Sequence, residues 1–136
     1  MMLYNIHVLQ ITGLFAMKEM NYSTRSRPDE PTLPEMTRKA IRILKEQDER
    51  GAQKGFLLFV EGGLIDFAHH ANWAAVALND TLEFDQTVQV AMDETSDNED
   101  TLILVTADHS HVFDIAGYPL WTANLFGFFA NSHFLS

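Results

Sequence analysis

The sequence has no cysteine, and its residues 55–136 contain no lysine or arginine. Without cysteine the chain has neither a disulfide framework nor thiolate chemistry. No apolar run approaches the ~18–20 residues that a membrane-spanning helix needs. The first sixteen residues are fairly apolar, but polar residues interrupt them and no base precedes them, so they make a poor secretion signal. Hydrophobic residues account for 46% of the 136, which argues against a disordered chain and suits one domain over residues 1–136.

The charge is distributed unevenly along the chain. Residues 1–54 hold all nine bases and seven acids, whereas residues 55–136 hold twelve acids. A segment this acidic repels nucleic acid and anionic lipid, so we expect no nucleic-acid partner. If it meets an anionic substrate, cations from elsewhere must bind that substrate. Five of the six histidines lie in the same acidic segment, which makes metal ions the obvious candidates.

Two segments have the pattern of helices. Residues 33–50 keep helical spacing of apolar side chains, and Thr32 with Glu35 matches a capping box at the start. Residues 69–95 have a longer apolar stripe and read as a second, long helix.

Three apolar segments, 9–15, 56–61 and 101–106, have the pattern of strands. The last two are continuous apolar runs, which suit strands covered on both faces, as in a parallel sheet. Helices alternate with these strands, and such an order implies parallel pairing with right-handed crossovers. The sequence therefore predicts an α/β fold, part of a three-layer α/β/α sandwich with a mainly parallel sheet.

Polar clusters at 61–70 and 108–111 follow directly after the last two predicted strands. In open α/β sheets, functional sites form at the carboxyl ends of strands. Asp66 and His70 are four residues apart, which on a helix places both side chains on one face within reach of one cation. A carboxylate with an imidazole suits Zn²⁺.

The remaining polar residues of these clusters could hold further ions. Asp108 and His109 are adjacent and can converge on a second cation in a turn, and Glu61 offers a hard oxygen ligand that suits Mg²⁺. An isolated Asp-x-x-x-His is usually only a surface pair, and charged groups after a strand are often only solvated. Two such clusters at equivalent strand ends, with four of the six histidines, favour a metal site.

The two clusters lie in stretches that resemble animal alkaline phosphatases, namely 55–77 (GFLLFVEGGLIDFAHHANWAAVA) and 100–119 (DTLILVTADHSHVFDIAGYP). The resemblance covers about residues 9–128, and the motifs EGG-x-ID-x-x-HH and TADHSH together are highly specific. It implies part of the alkaline phosphatase fold and hydrolysis of phosphate monoesters with two zinc ions and one magnesium ion.

The resemblance also implies a set of metal ligands: Asp66 and His70 for one zinc ion, Asp108 and His109 for the other, and Glu61 for magnesium. His69 and His111 match family histidines that do not bind metal directly, so they are candidates for supporting the ligands.

The resemblance leaves important family residues outside the matched stretch. The serine nucleophile, the aspartate shared by two metals and the phosphate-clamping arginine all lie upstream of it, and a third histidine ligand of the first zinc lies downstream. We therefore expect an internal portion of a longer protein, with no catalytic nucleophile and no activity of its own. Family members are homodimers, often attached by lipid to the outer cell surface, although the sequence shows no anchor.

Two other functions remain open on sequence grounds. The chain could be another metallohydrolase of the same superfamily, such as a phosphodiesterase or phosphomutase, although the VEGG and TADHSH motifs argue against this. It could also be a non-catalytic metal-binding or scaffold protein, which the missing nucleophile favours. Activity on p-nitrophenyl phosphate with and without Zn²⁺ separates the enzymes from the binding protein.

Overall fold

The computed structural model describes residues 12–50 and 54–114. These residues form a short 3-10 helix and three α-helices: Ser23–Arg25, then α1 (Leu33–Arg50), α2 (Leu64–His70) and α3 (Ala74–Thr95). Helix α3 packs against α1, α2 and the 3-10 helix, so it is the central element. None of the helices among the described residues has the length and apolar character needed to cross a membrane.

Helix α1 confirms the prediction for residues 33–50. Its start is fixed by a reciprocal pair of hydrogen bonds, the geometry of a capping box. The amide of Thr32 donates to Oε2 of Glu35 at 2.8 Å, and the amide of Glu35 donates to Oγ1 of Thr32 at 3.3 Å. Ile41 is the buried apolar residue of this helix, with 3% of its surface exposed.

Charged side chains join α1 to the end of α3. The guanidinium of Arg42 donates two hydrogen bonds of 2.8 Å to the carboxylate of Glu94, and Arg38 donates a third at 3.2 Å. Lys45 donates to the carbonyl of Glu94 at 2.6 Å and to Asp97 at 2.7 Å. The hydrogen bond from Arg42 lowers the pKa of Glu94, and that from Lys45 lowers the pKa of Asp97. Bases from the first part of the chain thus neutralise acids of the second.

The buried face of α3 is largely polar. Thr87 and Thr95 are buried, and each hydroxyl donates to the carbonyl oxygen four residues earlier, at 2.8 and 2.7 Å. Asp80 is also buried and accepts a hydrogen bond of 2.7 Å from the amide of Ser23. This bond fastens the 3-10 helix to α3.

A sharp corner separates α2 from α3, and the long predicted helix begins late, at Ala74 rather than at residue 69. Asn72 has a φ of 58°, in the left-handed region that asparagine tolerates. The amides of Asn72 and Trp73 donate to the carbonyls of His69 and Ala68, both at 2.9 Å. This is the Schellman arrangement that closes helix C-termini. The corner therefore ends α2 with its last carbonyls hydrogen-bonded.

The predicted α/β fold is wrong for the residues that the structure describes. Neither 56–61 nor 101–106 is a strand, and no sheet forms within 12–50 and 54–114. The predicted strand 9–15 lies partly outside the described residues, and its described part, 12–15, is not a strand either. A strand exists only when a neighbouring backbone pairs with it. Within the described residues, the backbone hydrogen bonds outside the helices join residues at most five apart, as turns and caps do.

The exposure of the two apolar segments shows why the pattern misled. Leu57 and Phe59 are 78% and 87% exposed, and Leu102 and Leu104 are 79% and 80% exposed. The pattern indicated strands covered on both faces by helices. The described residues supply no layer that covers them, so the partial three-layer α/β/α sandwich and its mainly parallel sheet are replaced by a packed group of helices.

Candidate metal centre

Helix α2 places Asp66 and His70 one turn apart on the same face. Nε2 of His70 lies 3.4 Å from Oδ2 of Asp66. The four-residue spacing in the sequence gives this proximity because helical neighbours at i and i+4 stack one above the other. His70 also lies in the last turn of α2, where the negative end of the helix dipole favours positive charge.

The loop that contains residues 108–111 approaches the same carboxylate from another part of the chain. Nε2 of His109 lies 3.7 Å and Nε2 of His111 lies 3.6 Å from Oδ1 of Asp66. We call Asp66, His70, His109 and His111 the histidine cluster. The cluster forms although the predicted strands that precede its two parts, 56–61 and 101–106, do not.

Three members of the cluster can converge on one cation. One ligand atom each from Asp66, His70 and His111 can be chosen so that the three atoms lie within 4.8 Å of one another. No other group of three such residues meets this distance in the described ranges. Oδ1 of Asp66 and Nδ1 of His111 are buried without a hydrogen-bond partner. An unpaired buried polar atom costs about 1–3 kcal/mol. A cation would satisfy the carboxylate oxygen, so the donor set fits a zinc-class metal.

His109 and Asp108 lie at the exposed edge of the cluster. Asp108 has 84% of its side chain exposed, and its Oδ2 lies 3.4 Å from Nε2 of His109. The other ring nitrogen of His109, Nδ1, donates to the carbonyl of Ser110 at 2.9 Å. This hydrogen bond is the main reason that the pKa of His109 is raised, and the carboxylates of Asp108 and Asp66 add to the effect. Nε2 is therefore the nitrogen that faces the carboxylates.

Glu61, the predicted magnesium ligand, lies in a different environment. It lines a cavity of about 150 Å³ together with Asp80 and Glu83 of α3. Burial raises the pKa of Glu83. The structure thus brings together Asp66 and His70 with the loop histidines, but it does not join Glu61 to them.

The two histidines that the resemblance leaves out of the ligand set are part of the same surroundings. The ring of His69 stacks on that of His111 with centroids 4.9 Å apart and an angle of 21°. Nδ1 of His69 donates to the carbonyl of Ile65 at 2.7 Å, which fixes its ring. Spacing rules relate residues within one helix and not a helix to a distant loop, so they did not predict that His111 lies beside Asp66. The resemblance names His111 only as a candidate for supporting the ligands.

Comparisons with known proteins match nearly the whole chain. A family model described as alkaline phosphatase covers residues 4–133. The chain is 46% identical over 134 residues to alkaline phosphatase 4 of Drosophila melanogaster, covering 96% of this chain and 22% of that protein. It is 45% identical over 109 residues to the membrane-bound alkaline phosphatase of Bombyx mori, covering 79% of this chain and 19% of that one.

A vertebrate relative gives the same picture. The tissue-nonspecific isozyme of alkaline phosphatase from Homo sapiens is 43% identical over 118 residues, which cover 86% of this chain and 21% of the human protein. The chain therefore spans about a fifth of the length of the curated relatives that it matches. No solved structure matches it.

Proposed function

The chain belongs to the alkaline phosphatase family, and on that premise we propose that it carries part of the metal centre of an enzyme that hydrolyses phosphate monoesters. The observation that supports this most is the histidine cluster, in which three histidines surround the carboxylate of Asp66. The relatives are much longer, so we propose this activity for the whole protein and not for the chain alone.

The proposed metal content is two zinc ions and one magnesium ion. Asp66 and His70 would hold one zinc ion, Asp108 and His109 the other, and Glu61 magnesium. A bound divalent cation would supply Lewis-acid polarisation of the phosphoryl group and activation of the attacking group. Imidazole ligands bring no negative charge to a cation, so they would leave its positive charge available to the substrate, and the carboxylates would offset part of it. This division suits residues 55–136, which have no lysine or arginine of their own to bind a phosphate.

For the chain alone we propose no catalytic turnover. The family nucleophile, the shared aspartate and the clamping arginine are not among the residues that its motifs match, and loss of the attacking group removes most of the rate advantage of a covalent mechanism. For the whole protein, assembly as a homodimer and attachment at the outer cell surface are likewise proposals.

A graft tests the proposed function. The corresponding segment of the Drosophila enzyme is replaced by this chain, and hydrolysis of p-nitrophenyl phosphate is measured with Zn²⁺ and Mg²⁺ present. We expect the hybrid to be active. Its Asp66→Asn variant should lose at least ~100-fold in kcat/KM, since the carboxylate that the cluster histidines face is lost. Asp85→Asn, at an exposed aspartate of α3, is the matched control and retains activity. A folded but inactive hybrid, or turnover by the isolated chain, would contradict the proposal.

Metal binding without catalysis is a second candidate function. One observation favours it. Asp66, His70 and His111 come together within the described residues without the family nucleophile, the aspartate shared by two metals or the phosphate-clamping arginine. Zinc binding by the isolated chain, together with an inactive but folded hybrid, would select this alternative.

A further inference from the structure

We propose that Asn21 is an N-glycosylation site of this protein and that the other acceptor motif of the chain, at Asn79, carries no sugar. The sequence contains the acceptor motif Asn-x-Ser/Thr twice, as Asn21-Tyr22-Ser23 and as Asn79-Asp80-Thr81. The inference goes beyond the proposed phosphatase function and rests on it only for the location, since the sugar is added to proteins that travel to the outer cell surface.

Asn21 lies in an exposed, irregular stretch of the chain, two residues before the 3-10 helix begins at Ser23. An attached oligosaccharide is bulky and hydrophilic, so it needs a surface position outside the packed helices. The amide of Ser23 donates to the buried carboxylate of Asp80 at 2.7 Å, which fastens the last residue of the motif to α3. The acceptor asparagine is therefore open to solvent beside a segment that the fold holds in place.

The contacts of the Asn21 side chain are compatible with an attached sugar. Nδ2 of Asn21 donates to Oε1 and Oε2 of Glu30 at 2.9 and 2.8 Å, and both bonds lie at the exposed surface. Water replaces a hydrogen bond lost at such a place at small net cost. Glycosylation turns the primary amide into a secondary amide that keeps one N–H, so one of the two bonds to Glu30 can persist.

The motif at Asn79 lies inside helix α3, and its side chains are engaged by the helix. Asn79 is half-buried, and its Nδ2 donates to the carbonyl of Ala75 at 2.8 Å. The hydroxyl of Thr81 donates to the carbonyl of Ala77 at 2.8 Å. The residue between them, Asp80, is only 5% exposed and carries the bond to the 3-10 helix.

The helix also separates the two groups that make up the second motif. Side chains two positions apart on a helix do not face each other, so the amide of Asn79 and the hydroxyl of Thr81 are kept apart. Helix α3 packs against α1, α2 and the 3-10 helix, and a sugar at a half-buried position would crowd that packing. Of the two motifs, only the one at Asn21 combines exposure with freedom from the helices.

The modification is a group transfer from an oligosaccharide that is linked to a lipid pyrophosphate. The amide nitrogen of Asn21 forms a bond to C1 of the first sugar, the bond between C1 and the pyrophosphate oxygen breaks, and the lipid pyrophosphate leaves. The nitrogen gives up one proton to a base of the transferase, so atoms and charge balance. Ser23 supplies the hydroxyl that the motif requires two positions after the asparagine.

Enzymatic removal of the sugar from the full chain tests the inference. The chain is expressed in mammalian cells behind a cleavable secretion signal, and all of it that enters the secretory pathway is analysed with and without peptide N-glycosidase. We expect the enzyme to increase the gel mobility by a shift that corresponds to one sugar chain. Asn21→Gln and Ser23→Ala should each abolish the shift, whereas the matched variants Asn79→Gln and Thr81→Ala should leave it complete.

Mapping on the unsubstituted chain does not depend on the folding of any variant. The glycosidase converts a glycosylated asparagine to aspartate, so in heavy-oxygen water mass spectrometry should find the label at Asn21 and none at Asn79. No mobility shift, a shift that persists in Asn21→Gln, or label at Asn79 would overturn the inference. A sugar at Asn21 in an inactive hybrid enzyme would refute the proposed function alone, and an active hybrid without that sugar would refute this inference alone.

Discussion

The interface between α1 and α3 and the histidine cluster both gather carboxylates, but they neutralise them by different means. At the interface, Glu94 and Asp97 meet Arg38, Arg42 and Lys45, which are permanently charged. In the cluster, the partners of Asp66 within the described residues are imidazoles, whose charge depends on protonation. The first region is satisfied by the chain itself, whereas the second leaves a buried carboxylate oxygen without a partner.

The comparison explains how the uneven charge of the sequence is used. All nine bases lie in residues 1–54, and three of them form ion pairs with acids at the end of α3. Residues 55–136, the segment that contains Asp66, have no arginine or lysine to pair with its carboxylate. A region with acids and histidines but no permanent cation is one that an external cation can enter. The identity of the partners, and not the number of acids, separates a structural contact from a candidate metal site.

The largest expected effect comes from a substitution that disrupts the interface between α1 and α3 and leaves the histidine cluster intact. Ile41→Ala should lower the free energy of unfolding by about 2–5 kcal/mol, because it removes the buried apolar side chain of α1. Chemical denaturation followed by circular dichroism measures the loss. Ile43→Ala, on the same helix but only half-buried, is the matched control and should cost less. Equal losses at the two positions would mean that Ile41 does not anchor the interface.

The next largest effect comes from a substitution that disrupts the histidine cluster and leaves the interface between α1 and α3 intact. Asp66→Asn should weaken Zn²⁺ binding by the chain about 100-fold, equivalent to about 2.7 kcal/mol, since the one carboxylate shared by the histidines becomes neutral. Calorimetric titration measures this, with Asp85→Asn as the control at an exposed aspartate. For Asp66→Asn, the midpoint of chemical unfolding in the absence of metal should fall little. Unchanged zinc affinity in Asp66→Asn would show that the cluster is not the binding site.

The smallest effect sharpens the comparison through pH. The pKa values of Glu94 and Asp97 are lowered in the folded chain, so their contribution to stability is present above their ordinary values and is lost as the pH falls through the lowered ones. Without metal, Glu94→Gln should therefore reduce the loss of stability on acidification below about pH 4.5, where ordinary glutamate titrates. Urea midpoints between pH 3 and 6 check this. Glu99→Gln, at an exposed position, should leave the slope as it was.

Helix α1 was predictable from the sequence because its signals are local. Thr32 and Glu35 specify the first turn through bonds between residues three apart, and the apolar spacing specifies the face that packs. The same holds for the proximity of Asp66 to His70, which follows from one helical turn. Contacts between residues a few positions apart do not need knowledge of the rest of the fold.

The predicted strands failed, and the contact between His111 and Asp66 was not foreseen, for a common reason: both depend on distant parts of the chain. The runs around Leu57 and Leu104 are suited to burial, but burial requires other layers, and these residues are exposed in the described structure. His111 reaches Asp66 across more than forty positions of sequence. The resemblance to a family predicted that His111 supports the metal ligands, but it did not say which ligand His111 approaches.

The corner at Asn72 gives a criterion for searching other sequences. A residue in the left-handed region is almost restricted to glycine, asparagine and aspartate, so only these are expected where α2 must turn sharply into α3. A β-branched residue at that position would change the direction in which α2 leaves the corner. A chain could then keep Asp66 and His70 in its alignment and still turn them away from the loop that holds His111. Reading the corner residue together with the motifs would separate chains that retain the ligands from chains that also retain their orientation.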